Sequence, residues 1–237
     1  DPRRRRAPGH GVLRTRWRKR PPRGVARCQG GRTARRRRYA PRDTPDGDST
    51  LAALLDGEPD ALLVQSLGTM AVFRERAPEL PLIADASLNA VNDLAVQALR
   101  ELGAARVTVA FDATPSQTLD LAAAAGAQDL ETVVHAHLPM MLMEHCPAAT
   151  FLAGPGKPCG RLCRAHTLAL RDRKGLDHPL RADADCRTTV FFGRPLSSNA
   201  RPYRAAGIRH FRIEFLDESR DGVRALLRRV RAALSSV

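Results

Sequence analysis

Residues 106–135 read Arg-Val-Thr-Val-Ala-Phe-Asp-Ala-Thr-Pro-Ser-Gln-Thr-Leu-Asp-Leu-Ala-Ala-Ala-Ala-Gly-Ala-Gln-Asp-Leu-Glu-Thr-Val-Val-His, and this stretch decides the fold. Arg106–Phe111 is rich in β-branched residues and predicts a strand. Ser116–Ala125 is an Ala/Leu run that predicts a helix, with Pro115 just ahead of it and Gly126 as its C-cap. Glu131–His135 is β-rich again. Strand, helix and strand joined by short loops form a β–α–β unit, which implies parallel strands covered by a helix.

The alternation continues on both sides. Toward the N-terminus, residues 61–66 read as a strand, Thr69–Arg76 as a short helix punctuated by Pro78 and Pro81, and Leu82–Asp85 as a strand. Asn92–Leu102 is a helix with apolar residues at Leu94, Ala95, Ala98, Leu99 and Leu102, ended by Gly103. Toward the C-terminus, a segment of about fifty residues interrupts the pattern. Thr188–Phe192 then predicts another strand of the alternation, Asn199–Ala206 a helix closed by Gly207, and Ile208–Leu216 a strand. Glu218–Leu234 predicts an amphipathic terminal helix with Val223, Leu226, Leu227, Val230 and Leu234 on its apolar side. About six strands are legible where a complete (β/α)8 barrel has eight, and such barrels take about 250 residues. The expected fold class is therefore α/β, either an open sheet or an incomplete TIM-barrel-like (β/α) domain over 51–237.

Residues 1–50 differ in kind. Residues 1–43 hold 16 Arg and one Lys against Asp1 and Asp43, so nearly all of the net charge of +14 sits there and the remainder is close to neutral. The segment is rich in Arg, Pro and Gly, with basic runs at Arg3–Arg6 and Arg35–Arg38, and predicts a disordered basic N-terminal tail. Three readings of it stand: an arm that binds RNA or other polyanions, a solvated tail without a partner, and out-of-frame translation of a GC-rich gene. Trp17 and Tyr39 are its only aromatic residues, too few to make a base-stacking surface on their own. The chain opens on Asp, which reads as processing, truncation or a misplaced start. No 7–15-residue apolar core follows the basic start, so no secretory signal is predicted, and no apolar run is long enough to span a membrane.

The interrupting segment, 144–187, carries chemistry. Four of the five cysteines, Cys146, Cys159, Cys163 and Cys186, fall within 41 residues at C-x12-C-x3-C-x22-C spacing. Four thiolates converging on one point hold an iron–sulfur cluster or a zinc ion. The wide spacing favours a 4Fe–4S cluster, because structural zinc sites tend to use paired C-x2–4-C knuckles and only one such pair exists here. Disulfides or inert buried thiols are the other readings of the same four residues. Arg161, Arg164 and Arg187 are placed to offset thiolate charge, and Cys28 lies outside the group. His135, His137 and His145 flank the segment, with Glu131 and Glu144 close by. Glu131 and His135, at a strand's C-terminal end, are the candidate catalytic pair at a barrel mouth. His137 and His145 read as surface or supporting residues, and Met140, Met141 and Met143 as packing. There is no GxSxG elbow and no HExxH helix.

The stretch Glu131-Thr-Val-Val-His135, Cys146 eleven residues on, the Cys159-x3-Cys163 pair, Leu170-Arg-Asp172-Arg173-x-Gly175 and Asp183-x-x-Cys186-Arg187 resembles the collagenase-like peptidase family, also called peptidase family U32. Gly207-Ile-Arg-His-Phe-Arg-Ile-Glu214 and the helix after it also look like this family, and the resemblance covers about residues 55–237. It implies a TIM-barrel-like domain in a cytoplasmic protein, present here as a fragment. It implies Cys146, Cys159, Cys163 and Cys186 as ligands of a 4Fe–4S cluster, with zinc as the alternative. It implies oxygen-independent hydroxylation of tRNA, rRNA or a quinone precursor, with Glu131 and His135 positioning substrate or moving protons. The partners so implied are RNA or a small-molecule hydroxyl donor, and a protein that completes the barrel. Collagenase-like proteolysis and a non-catalytic cluster- or zinc-stapled partner subunit are the alternatives. The family pattern has Gly where this chain has Ala136, and Ser where it has Met143.

Overall fold

Short apolar strands alternate with capped helices from Ala61 onward in a computed structural model that describes residues 13–16, 36–39, 56, 59–154, 158–183 and 186–235. The chain divides into two units, with boundaries between Ala136 and His137 and between Leu196 and Ser197. The strand β1 (Leu13–Arg16) belongs to the unit built on 137–196, here called the cysteine unit. Strand β2 (Arg36–Tyr39) belongs to the other, the sheet unit. The expectation of a disordered tail over the rest of 1–50 lies outside the described residues.

The sheet unit follows the predicted alternation. It runs β3 (Ala61–Val64), α1 (Leu67–Arg76), β4 (Leu82–Ala84), α2 (Asp93–Glu101), β5 (Ala104–Thr108), α3 (Pro115–Ala125) and β6 (Leu130–Ala136). Side-chain oxygens start the helices. Ser66 Oγ accepts from the Thr69 N–H at 3.2 Å and Asn92 Oδ1 from the Ala95 N–H at 2.8 Å. Thr114 and Gln117 form a reciprocal capping box around Pro115, which is the first helical residue rather than the residue before the helix. Each such cap contributes about 1 kcal/mol. At the far end of α2, Gly103 sits at φ +96°, and a Cβ there would meet the Arg74 side chain. Only glycine meets both conditions.

Parallel pairing joins β2 to β3, β3 to β4, β4 to β5 and β5 to β6. After the cysteine unit the chain returns through β11 (Leu196–Ser197) and α4 (Ala200–Ala205) to β12 (His210–Ile213), which pairs parallel with the other edge of β6. Helix α5 (Arg220–Ser235) follows and buries Leu226 and Val230. Among the described residues the parallel strands thus run in the order β2-β3-β4-β5-β6-β12, a curled half-barrel and an incomplete β/α barrel. Period-two alternation gives the sheet two faces. Leu62, Val64, Leu82, Ala84, Val107, Leu130 and Val134 join Phe73 and Met70 of α1 and the apolar sides of the other helices in one continuous core. The opposite face carries a small apolar cluster, Ala61, Leu63 and Ile83. Beside it that face is polar, with Asp85, Thr108, Glu131, His135 and Arg212 all buried.

The cysteine unit is built differently. Strands β7 (Pro139–Met143), β8 (Thr167–Arg171), β9 (Asp177–Ala182) and β10 (Thr188–Phe191) form an antiparallel sheet in the order β1-β8-β9-β10-β7. The strand predicted at Thr188–Phe192 is real, but it pairs antiparallel with β7 and β9 rather than continuing the parallel alternation. A short β-branched run looks the same in either kind of sheet, because its partners are set by distant residues. Strand Arg36–Tyr39 takes its place as the sixth parallel strand.

Candidate functional site

The cysteine unit presents its thiols on turns. Cys146 opens a short helical turn after β7, where the Thr150 N–H donates to the Cys146 carbonyl at 3.2 Å. Cys159 is followed by Gly160 at φ +54° and Arg161 at φ +57°, and the Leu162 N–H returns to the Cys159 carbonyl at 3.1 Å. This double left-handed turn carries the chain into the 3-10 turn Leu162–Arg164, which holds Cys163. Cys186 itself sits at φ +65°, inside a loop in which Asp183 accepts the Arg187 N–H and pairs with its guanidinium, both at 3.0 Å. Left-handed backbone at non-glycine residues costs about 1–3 kcal/mol each and gathers at functional sites. Here Arg161 and Cys186 both adopt it, and both lie in the cysteine turns.

All four thiols are free, with Cys186 exposed and the other three half-buried. Burial pushes the Cys163 thiol up, and negative charge on Cys146, Cys186 and Cys159 pushes it further. Cys163 is thus the thiol on which the other three act. Among the described residues no three or more His, Cys, Asp or Glu side chains are gathered into a coordination shell. The donor set has the number and softness that a 4Fe–4S cluster or a thiolate zinc site takes. Met143 packs on the small core of this unit, as expected, whereas Met140 and Met141 are 49% and 56% exposed. His137 Nδ1 lies 2.7 Å from the Phe192 carbonyl and His145 Nε2 3.2 Å from Thr150 Oγ1, both on the outside.

The polar face of the sheet unit holds the other candidates. Glu131 is completely buried, with Arg106 at 3.6 Å, Arg212 at 3.6 Å and Thr108 Oγ1 donating at 3.4 Å. Arg212 donates to Asp85 at 2.7 Å and faces Glu214 at 3.3 Å. Asp85 also accepts from Gln65 at 2.8 Å. These charges are paired across β4, β5, β6 and β12, which is the condition for keeping them out of water.

The sequence model of Peptidase family U32 matches residues 39–237. The chain belongs to peptidase family U32. No curated protein matches it. The matched range of this U32 chain contains the four clustered cysteines together with Glu131 and His135.

His135 lies four residues beyond Glu131 on the same strand face but in a separate hydrogen-bond group. Its Nδ1 is 2.6 Å from Ser197 Oγ and its Nε2 is 2.8 Å from Glu218 Oε1. Glu218 Oε2 accepts the Leu216 and Asp217 N–H groups at 2.7 and 3.2 Å. Burial alone raises the Glu218 carboxyl. The hydrogen bonds from His135, from its own N–H and from Leu216 outweigh it and hold the group below the usual carboxylate range. Sequence reasoning found His135 but not Ser197 or Glu218, which stand 62 and 83 residues away. No local motif links the three. No helix among the described residues is long and apolar enough to cross a membrane.

Proposed function

We propose that this U32 chain holds a 4Fe–4S cluster through Cys146, Cys159, Cys163 and Cys186 and serves oxygen-independent hydroxylation of an RNA base or a quinone precursor in the cytoplasm. The observation that carries the reading is the placement of Cys159 and Cys163 on one turn, where the Leu162 N–H returns to the Cys159 carbonyl at 3.1 Å. A second supports it. The core of the cysteine unit consists of Ala148, Leu168, Leu180 and Val190, with Cys146 and Cys163 packed against it. Units with so little buried apolar surface are usually stapled by a metal or by disulfides, and these thiols form no disulfide.

A cluster held there supplies one-electron transfer. Arg161 and Arg164, exposed beside Cys159 and Cys163, offset the charge of the thiolates. Metal binding requires the thiols to lose their protons, and the burial that pushes the Cys163 thiol up works against that release. His135 is the residue of the candidate catalytic pair suited to moving a proton, since both of its ring nitrogens are hydrogen-bonded. Glu131, inside its arginine pairs, positions the polar face.

Anaerobic purification with iron and sulfide counts tests the reading. The expected result is a brown protein with absorbance at roughly 400 nm and about four irons per chain, lost in Cys159→Ala. Colourless protein without iron after anaerobic reconstitution overturns the cluster, and stoichiometric zinc in its place supports the stapled non-catalytic alternative.

A further inference from the structure

We infer that Ser197, His135 and Glu218 form a serine-hydrolase relay that opens on a small-molecule cavity and takes short carboxylic esters. All three residues lie in the sheet unit. Their tautomer follows from the geometry. Glu218 is held ionised and accepts hydrogen bonds at both oxygens, from His135 at Oε1 and from two backbone N–H groups at Oε2. An ionised carboxylate has no proton to donate, so His135 Nε2 carries the hydrogen in that contact. In the neutral ring Nδ1 is then bare, and at 2.6 Å it accepts the Ser197 hydroxyl proton. A carboxylate fixing a histidine whose other nitrogen faces a hydroxyl is the arrangement that activates a serine. The ring is turned relative to the familiar form, in which Nε2 is the base. Either nitrogen serves, because the carboxylate dictates which one is bare.

The surroundings fit a nucleophile. His135 is 5% exposed, while Ser197 is exposed. Ser197 lines a cavity of about 410 Å³ with Ala200, Arg229, Val230 and Ala233. Arg229 Nη2 donates to Ser197 Oγ at 3.3 Å, so a fixed cation stands beside the atom that becomes negative. The volume, with Ala200, Val230 and Ala233 as its apolar wall and Ser198, Asn199 and Arg229 as its polar one, suits an acyl group of a few carbons.

In the reaction, Ser197 Oγ forms a bond to the ester carbonyl carbon while its proton passes to His135 Nδ1. The carbonyl π electrons move to oxygen, where Arg229 offsets the charge. Collapse breaks the bond to the leaving alcohol, which takes the proton from Nδ1, and leaves an acyl-serine. Water attacks this ester, giving a proton to Nδ1. The acyl–Oγ bond breaks, the carboxylic acid departs, and Ser197 regains the proton. Ser197 and His135 are the catalytic residues and Glu218 is the positioning residue.

The test treats the full chain with a fluorophosphonate probe, followed by peptide mass spectrometry, and with p-nitrophenyl acetate and butyrate. The expected result is a phosphonyl adduct on Ser197 and ester turnover lost in Ser197→Ala, with the far-UV circular dichroism of the variant unchanged. Glu218→Gln, which keeps a hydrogen-bonding group but removes the charge, lowers kcat by about 100-fold or more with KM unchanged. The kcat and labelling of Glu218→Gln are read per folded molecule, with the folded fraction taken from its far-UV circular dichroism and urea midpoint, and a residue that only supported the fold leaves those normalised values at the wild-type level. No adduct on Ser197 in folded wild-type protein overturns the inference without reference to any variant. Ester turnover that persists in Ser197→Ala overturns it as well. Iron content, read on the same wild-type preparation, reports separately on the cluster.

Discussion

The two units of this chain solve the problem of stability by different means. In the sheet unit, twenty-one buried apolar residues form one cluster between the strands and their helices. In the cysteine unit the corresponding cluster has four. The first holds itself together by burial, at about 25 cal/mol per Å² of apolar surface removed from water. The second leans on hairpin hydrogen bonds and local ion pairs. Arg171 meets Asp177 at 2.6 and 2.7 Å, and Asp172 accepts the Lys174 and Leu176 N–H groups at 2.8 and 2.9 Å. Half-exposed pairs of this kind contribute little each. Function separates along the same line. The self-supporting unit can spend polar side chains on a buried face, and the weakly supported one carries the four clustered cysteines.

The strongest way to break that contrast is to remove the proposed metal. Structural zinc in small domains is worth on the order of 10 kcal/mol of apparent binding energy, so an order-of-magnitude larger response is expected from the cysteine unit than from the sheet unit. Anaerobic chelation should raise hydrogen exchange at β8 and β9 amides by about 100-fold or more, and leave β4, β5 and β6 unchanged. A uniform rise across both units, or none in either, would sink the idea that the thiols staple one unit alone.

The converse test damages the large core. Phe73 is fully buried between α1 and the sheet, and Phe73→Ala should cost about 3–5 kcal/mol. Urea denaturation followed by exchange at β3 and β4 should show the loss there. If β8 and β9 lose equal protection, the two units are one cooperative body and the contrast fails.

A similar loss is expected from the polar face. Arg212 is 8% exposed and is the cation shared by Asp85, Glu131 and Glu214. Arg212→Met leaves buried carboxylates without it, at about 3 kcal/mol or somewhat more. Restoration of the denaturation midpoint by a second change, Asp85→Asn, would sharpen the assignment. A midpoint that Arg212→Met does not move would remove the network from the account.

The legible and illegible parts of the sequence divide along the same boundary. Helix starts and stops were readable because they depend on residues a few positions apart: Asn92 with Ala95, Thr114 with Gln117, Gly103 after α2. The four cysteines stand out in the sequence because thiols at that density are rare, and the family match spans them. The antiparallel sheet was not readable. The run before Cys146 reads as strand-like, but Met140, Met141 and Leu142 are all about half exposed or more, with no inward alternation to say which sheet it joins. The pairing of Thr188–Val190 with both Leu142 and Arg181 depends on contacts that no local window contains. Ser197 and Glu218 were invisible for the same reason. Each reaches His135 only because β6 lies beside the chain's return into the sheet unit.

The smallest effects come from acid, and they too distinguish the units. Glu218 in the sheet unit and Asp172 in the cysteine unit are both held below the usual carboxylate range. For Asp172 the leading cause is the hydrogen bond from the Leu176 N–H, with His178 and the Lys174 N–H adding to it against the opposing effect of burial. A carboxyl depressed in the folded state contributes stability that is fully present above its unfolded pKa, about 4.3 for Glu and 3.9 for Asp. That contribution is lost as pH falls through the folded value. At pH 7, then, Glu218→Gln should be less stable than wild type, and the gap should close as the medium is acidified below about pH 4. Asp172→Asn should follow the same direction with a smaller gap, one that shrinks further in salt because its hairpin is open to solvent. Urea midpoints at pH 7, 5, 4 and 3, each at low and high salt, read both effects. A Glu218 gap that stays constant with pH would mean that its charge does not stabilise the fold, and that His135 is held by packing against Phe215, 6.3 Å away between ring centres, rather than by the carboxylate.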